Sequence, residues 1–330
     1  MAASRQQLSQ REIDAVIRHY RVGKVNDIRE LPEGSVYSPK VILETERGTL
    51  LLKRRARGLD MPALVAFGHQ VQLGCLAHGL CVPPLLATEH DGNSMVQHQD
   101  HIYELFVYIR GQRFDPSRPE HARQLGEMLQ RTHCAMDQTR TTFEPAVETE
   151  TIDLARLAPL RANEQHLPEG IARGCERVMH LAHDIVQANA KVPAIVHGDW
   201  HPGNMIFHED TLIAICDFDN TRLGSREREL AQALVHASLV APKPGQTALQ
   251  SAPEPSRARL EGFWSGFRTH AEKPDPRIIA GLMPAVMIDE ALAAVGPSMD
   301  ERHIPLLTGV WRKASWLDEH QQQLIELLSV

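Results

Sequence analysis

The chain has 330 residues, 42% of them hydrophobic and 23% charged, a balance that supports a buried core and excludes disordered or collagen-like classes. At roughly 100–200 residues per domain, the length suits two lobes or two modest domains. A net charge of −7 argues against a nucleic-acid binder, whose phosphate contacts require a basic face.

The basic run Lys53-Arg54-Arg55-Ala56-Arg57 is short and local. No apolar run reaches the length of about 18 residues that a membrane span needs, and no apolar stretch follows Met1. Neither a membrane partner nor a secretory leader is expected, and the chain reads as cytoplasmic. The five cysteines, Cys75, Cys81, Cys134, Cys175 and Cys216, are odd in number and lack CxxC or Cys/His ligand spacing; they read as reduced, buried thiols. Nothing in the sequence fixes an oligomeric state.

In chain order, Ile13, Val16 and Ile17 at helical spacing predict a short amphipathic helix over Ser9–Tyr20,. Val41-Ile42-Leu43 and Leu50-Leu51-Leu52, separated by a polar turn ending at Gly48, predict a hairpin,. A helix follows over Pro62–His78, then the break Cys81-Val82-Pro83-Pro84 and strand candidates at Ser94–Gln97 and Ile102–Ile109,. Beyond Gly111 helical patterns dominate: Ala122–Met136, Gly170–Ala190, Arg226–Val240, Ser256–Ala271, Arg277–Ala294 and Ile304–Leu328,. The boundary is placed at Ile109-Arg110-Gly111-Gln112, giving lobes at 1–108 and 109–330 with a connecting hinge near 104–111,. Asp137–Thr151 and the Pro/Gly/Ser-rich Pro242–Pro255 stand out as loops,.

The densest chemistry lies between Ile195 and Asp219. Asp199 and Asn204 sit in His197-Gly198-Asp199-Trp200-His201-Pro202-Gly203-Asn204, bracketed by short apolar strands, and a further apolar run, Leu212–Ile215, ends in Cys216-Asp217-Phe218-Asp219. Two carboxylates and an amide thus gather at neighbouring strand ends. Phosphoryl transfer demands such a set: charge on the phosphates must be neutralised and the nucleophile placed in line, and magnesium prefers a few hard oxygen ligands. Asn204 and Asp217 could supply those ligands, leaving Asp199 to take or orient a hydroxyl proton. The four-residue spacing of His197 and His201 also suggests zinc, but Pro202-Gly203 opposes a zincin-type helix and no HExxH occurs,.

His197-Gly198-Asp199, His201, Asn204 and Asp217-Phe218-Asp219 together resemble the signature of the aminoglycoside phosphotransferase, homoserine kinase and choline kinase superfamily,. The resemblance implies an α+β, protein-kinase-like fold of two lobes. The small mixed N-lobe carries an antiparallel sheet, and the larger C-lobe is mainly helical. It implies an ATP- and Mg2+-dependent transfer of the γ-phosphate to a small-molecule hydroxyl. Asp199 matches the catalytic aspartate, and Asn204 and Asp217 match the metal ligands. His197, His201 and Glu229, the last in Glu229-Leu230-Ala231, match positions that support the catalytic loop, and Asp219 is a candidate second metal contact.

The resemblance extends to a nucleotide clamp in the first third. Lys53 matches the strand lysine that holds the α- and β-phosphates. Gly34 and Ser35 fall where the family has its phosphate-covering loop, here with a single glycine. Val107 and Ile109 fall where hinge backbone would meet adenine. One departure stands out: no acidic residue lies between Asp60 and Glu89, so the helix glutamate that pairs with the strand lysine is missing. His69, Gln70 or Gln72 could replace it, or an acid from the C-terminal lobe could orient Lys53.

On the acceptor side, Asp289, Glu290, Trp264, Trp311 and Trp316 are candidates. An amino alcohol, a homoserine-like compound or an aminoglycoside-like compound would each fit the family. A nucleotide-binding pseudokinase or interaction module is the alternative, motivated by the missing helix acid. A protein Ser/Thr kinase ranks lower, because no APE-like segment follows Asp219.

Overall fold

The computed structural model describes residues 5–32, 34–145, 152–241, 245–268 and 274–329. Helix α1 (Gln10–Ile17) begins in a capping box in which Ser9 Oγ accepts from the Glu12 amide and Glu12 reaches back to the Ser9 amide,. Strands β1 (Val25–Glu30), β2 (Lys40–Thr45) and β3 (Gly48–Arg54) follow, then helix α2 (Pro62–Ala77) and strands β4 (Val96–His98) and β5 (His101–Val107). They form one antiparallel sheet ordered β1-β2-β3-β5-β4. β1 escapes sequence reading because an edge strand reading VNDIRE has no apolar alternation,.

Alternation decides what this sheet offers. One face, carrying Val41, Leu43, Leu50, Leu52, Tyr103 and Leu105, packs in a core with Ile13 and Val16 of α1. The strand register puts two rows on the opposite face, Ile42–Leu51–Phe106 and Lys40–Lys53–Glu104. An apolar row and a charged row therefore run side by side across β2, β3 and β5.

The rest of the chain is mainly helical: α3 (Pro119–Gln138), α4 (Leu157–Ala162), α5 (Ile171–Ala188), then short strands β6 (Ala194–Val196), β7 (Met205–His208), β8 (Thr211–Ile215) and β9 (Arg222–Gly224), then α6 (Arg226–Ser238), α7 (Arg257–Phe267), α8 (Pro276–Val295), α9 (Ile304–Glu319) and α10 (Gln321–Ser329). β6 pairs with β9 and β7 with β8, both antiparallel. Helix α8 is long and apolar enough to cross a membrane, yet 78% of that stretch is buried inside the chain; a helix apolar all round is here a core helix.

The predicted helix over Ile304–Leu328 is two helices. His320 interrupts it, with its Nδ1 2.8 Å from the Trp316 carbonyl and its ring stacked on Trp316, which satisfies the end of α9. Residues 146–151 and 242–244 of the two long loops, Glu33, and the end of the predicted helix Ser256–Ala271 at 269–271 lie outside the described residues.

Beyond β5 the chain is tied to the β7–β8 hairpin. Gln112 and Phe207 exchange backbone hydrogen bonds of 2.7 and 2.8 Å, and a Cβ on Gly111 would run into the Ile206 side chain and the Phe207 carbonyl. The sheet is thereby held at a fixed place against the hairpin that leads to the site.

Candidate active site

The loop between β6 and β7 carries His197, Asp199, His201 and Asn204. It turns at Gly198, whose φ is +80° and where a Cβ would meet the Asn220 carbonyl and Arg222,. The Gly198 amide donates to Glu229 Oε1 at 2.7 Å, and Glu229 Oε2 lies 2.7 Å from His133 Nε2. Glu229 is 2% exposed and stands in the first turn of α6, so this helix braces the loop. His197 is also buried; its Nε2 donates to the Cys216 carbonyl at 3.1 Å and its ring packs on Trp200 and Phe218. Burial pushes its pKa down against the pull of Glu229, Asp199 and Asp217,.

Asn204 Nδ2 donates to the Asp199 carbonyl at 2.9 Å and to Asp199 Oδ2 at 3.1 Å. His201 Nδ1 accepts from the Gly203 amide, which leaves its proton on Nε2, 3.6 Å from Asp199 Oδ2,. Burial works to raise the Asp199 carboxyl, but His201 and His197 outweigh it and hold the group below its ordinary value. His201 is correspondingly raised, Asp199 overcoming the effect of burial. Asp199 Oδ1 has no hydrogen-bond partner among the described residues, so an ionised oxygen remains for an incoming proton.

The Cys216 amide donates to the Asn204 carbonyl at 2.8 Å, which brings Asn204 beside Asp217. Asp217, at φ +67° after β8, accepts from Lys53 Nζ at 2.9 Å on Oδ1 and from Lys40 Nζ at 3.3 Å on Oδ2. Burial opposes its charge, but the two lysines hold its pKa well below the usual range. Two ammonium groups drawn to one carboxylate mark a place that favours cations. Asn204, tied beside Asp217 through the Cys216 amide, carries a second oxygen of the hard kind that magnesium takes,. Asp219 also meets Lys53, and Arg55 Nη1 is 3.4 Å from it. Burial pushes Asp219 up to about 6 against the pull of Lys53.

The structure resolves the missing helix acid. Lys53 is satisfied by Asp217 and Asp219, from beyond β8, and α2 supplies none of its partners. Gln72 donates to the Pro83 carbonyl and Gln70 to Thr142, while His69 contacts Ser94 and the Glu104 carboxylate. Glu104 on β5 is fully buried and grips Arg55 through two bonds of 2.9 and 2.7 Å. Lys40, Arg55 and Glu104 were missed in the sequence, where only the pairing register of the sheet could have shown that Lys40 and Glu104 flank Lys53.

Gly34 adopts φ +84°, and Arg5 donates to the carbonyls of Gly34 and Ser35 at 3.1 and 3.4 Å. The Ser35 hydroxyl accepts from the Tyr37 amide at 3.2 Å. The Val107 amide is taken by the Pro84 carbonyl at 2.8 Å, which leaves a hinge role to its carbonyl. The Ile109 amide has no partner among the described residues.

Asp289 corrects an expectation. It is 1% exposed, and its Oδ2 lies 2.8 Å from both Arg228 and Arg156, so this carboxylate ties α6 to α8 and is closed to an acceptor. Glu290 lies two imidazoles from Asp199: its Oε2 is 2.9 Å from His236 Nε2, and the His236 ring lies 5.8 Å from that of His201. The tryptophans pack the fold, Trp264 buried on Phe267, Trp311 against Gly174 and Trp316 on His320.

The family described as "Phosphotransferase enzyme family" matches residues 27–263, well over half of the chain. No curated protein matches in sequence. Among solved structures, a microcompartment-associated aminopropanol kinase aligns with a TM-score of 0.70 at 14% identity, covering 94% of this chain and 96% of its own. Amicoumacin kinase hAmiN, solved in complex with AMP-PNP, Ca2+ and Ami, aligns with a TM-score of 0.67 at 14% identity, covering 94% of each chain. Spectinomycin phosphotransferase APH(9)-Ia, in complex with ADP and spectinomycin, aligns with a TM-score of 0.60 at 12% identity over 95% of this chain and 98% of its own.

Proposed function

The chain belongs to the phosphotransferase enzyme family, and from that premise we propose that it moves the γ-phosphate of ATP, with magnesium, to the hydroxyl of a small molecule. One observation carries the reading: Asn204 holds Asp199 at 3.1 Å and is itself tied by its carbonyl to the strand end that presents Asp217. A proton acceptor and two metal-type oxygen ligands are thus built into one hydrogen-bonded unit.

In this reading residues 1–108 clamp the nucleotide and 109–330 carry catalysis and acceptor binding. The row Ile42, Leu51 and Phe106 offers adenine an apolar surface, with the Val107 carbonyl and Ile109 amide at its edge. Asn204 and Asp217 would hold magnesium, which would supply positive charge to the phosphate oxygens. Lys53 binds phosphate, while Arg55 and Lys53 keep Asp219 in place. Asp199 Oδ1 accepts the acceptor's hydroxyl proton, and Asp199 is ready for it because His201 keeps the carboxyl ionised.

Amino alcohols lead the acceptor classes. An aminopropanol kinase is among the structural neighbours, and Glu290, two imidazoles away from Asp199, offers negative charge to an amine. A screen of MgATP-dependent phosphate transfer over amino alcohols, homoserine, choline-like amines, aminoglycosides and sugars tests the proposal. Nucleotide binding with no transfer to any acceptor would favour the pseudokinase reading.

A further inference from the structure

Strand register sets Lys40 of β2 directly opposite Lys53 of β3, on the same face of the sheet,. Like charges in directly opposed positions destabilise a sheet, and these two are nearly buried, their side chains 13% and 5% exposed. Both end on Asp217, at 3.3 and 2.9 Å. Lys53 also has Asp219, whereas Asp217 is the one carboxylate that Lys40 meets among the described residues.

Asp217 is also the carboxylate a magnesium ion would claim. Once it does so, Lys53 keeps Asp219 and Lys40 is left as a nearly buried cation without a partner, which is costly. An anion must arrive with the metal. The loop above Lys40 fits that need: at Gly34 an added Cβ would lie 3.1 Å from Lys40 Nζ, so the residue roofing the ammonium is one without a side chain. That loop has a single glycine, and two of its carbonyls are turned to Arg5. Its Tyr37 and Ser38 amides are taken by the Ser35 hydroxyl and carbonyl, so fewer amides are left free for a phosphate.

We propose that Lys40 is a second phosphate-binding lysine, which leaves Asp217 for the nucleotide's phosphate oxygens and supplies the positive charge that the glycine-poor loop lacks. This rests on the kinase reading above. Lys40 is released to the nucleotide by the same event that places the metal, so its contribution depends on the phosphates and not on the adenosine.

Calorimetric titration of Lys40→Met and Lys40→Arg with MgAMP-PNP and with adenosine tests this. Loss of one charge-assisted contact predicts about 10- to 100-fold weaker MgAMP-PNP binding by Lys40→Met. Adenosine affinity should stay within about twofold, and Lys40→Arg should retain most of the phosphate affinity. Equal MgAMP-PNP affinity in Lys40→Met and wild type overturns the proposal, as does a parallel loss of adenosine binding. If the wild type binds no MgAMP-PNP, the kinase reading fails first and this one with it. A measurement on the unaltered chain guards against misfolded variants: an acyl-phosphate derivative of ATP, which acylates lysines beside the terminal phosphate, should mark Lys40 as well as Lys53. Marking of Lys53 alone overturns the proposal.

Discussion

Glu229 accepts the Gly198 amide hydrogen at 2.7 Å, so a buried carboxylate on α6 fixes the turn that presents Asp199. Its other oxygen is held by His133 of α3, and three separate segments therefore meet at one group. Burial opposes its charge, but His133, His197 and the Gly198 amide keep its pKa below the usual value. Glu229→Ala should lose ~3–5 kcal/mol of stability, because His133 and the amide are left unpaired in the interior. Glu229→Gln, which keeps an acceptor for Gly198, should lose less. The folded-state pKa is lowered, so the carboxylate's contribution is present above its unfolded value and fades as pH falls through the folded value. Urea unfolding of wild type and Glu229→Gln across pH 3–7 should show the gap between them closing in acid.

Asp199→Ala should lower turnover by about 10²–10⁴-fold, the range for losing a positioned general base, while MgATP affinity changes little. Turnover against binding, measured on the best acceptor from the screen, separates the two. Undiminished turnover would remove Asp199 from its role.

His201→Gln takes an imidazole Nε2–H from beside Asp199 Oδ2. The Asp199 carboxyl, now held below its ordinary value, should rise, and proton acceptance requires its ionised form. The acid limb of the kcat/KM profile should therefore move to higher pH in the variant. An unmoved limb would show that His201 does not tune Asp199.

Glu104→Gln should destabilise the chain by ~3–5 kcal/mol, because Arg55, 3% exposed, loses its bidentate partner inside the protein,. Thermal unfolding measures this directly. A change within about 0.5 kcal/mol, the level of an ordinary surface substitution, would show that Asp219 alone suffices for Arg55.

Asp217→Asn should raise the magnesium concentration needed for half-maximal nucleotide binding, since a charged oxygen ligand is replaced by a neutral one. Titrating magnesium at fixed AMP-PNP reads the shift, and chelation with EDTA should abolish transfer in the wild type.

The catalytic loop was legible in the sequence because its residues are close along the chain. His197, Asp199 and Asn204 lie within eight positions, and Asp217 follows after one hairpin. The longer helices and central strands were legible for a related reason: each needs an apolar periodicity that its own residues display, whereas the six-residue α4 is too short to show one. β1 and β9 were not, because an edge strand and a three-residue strand carry too few buried positions to show a period.

By itself, the sequence determined the kind of chemistry and the two-lobe α+β fold, and it marked the HGD and DFD segments as the candidate site, since these depend on neighbours in the chain. The tertiary structure alone decided which distant charges share a site. It placed Asp217 and Asp219 on Lys53, set the buried Glu104 of β5 on Arg55, set Lys40 beside Lys53, and closed Asp289 between two arginines. Those outcomes follow from strand register and from the rule that a buried charge must find its opposite, whatever the distance along the chain that separates them.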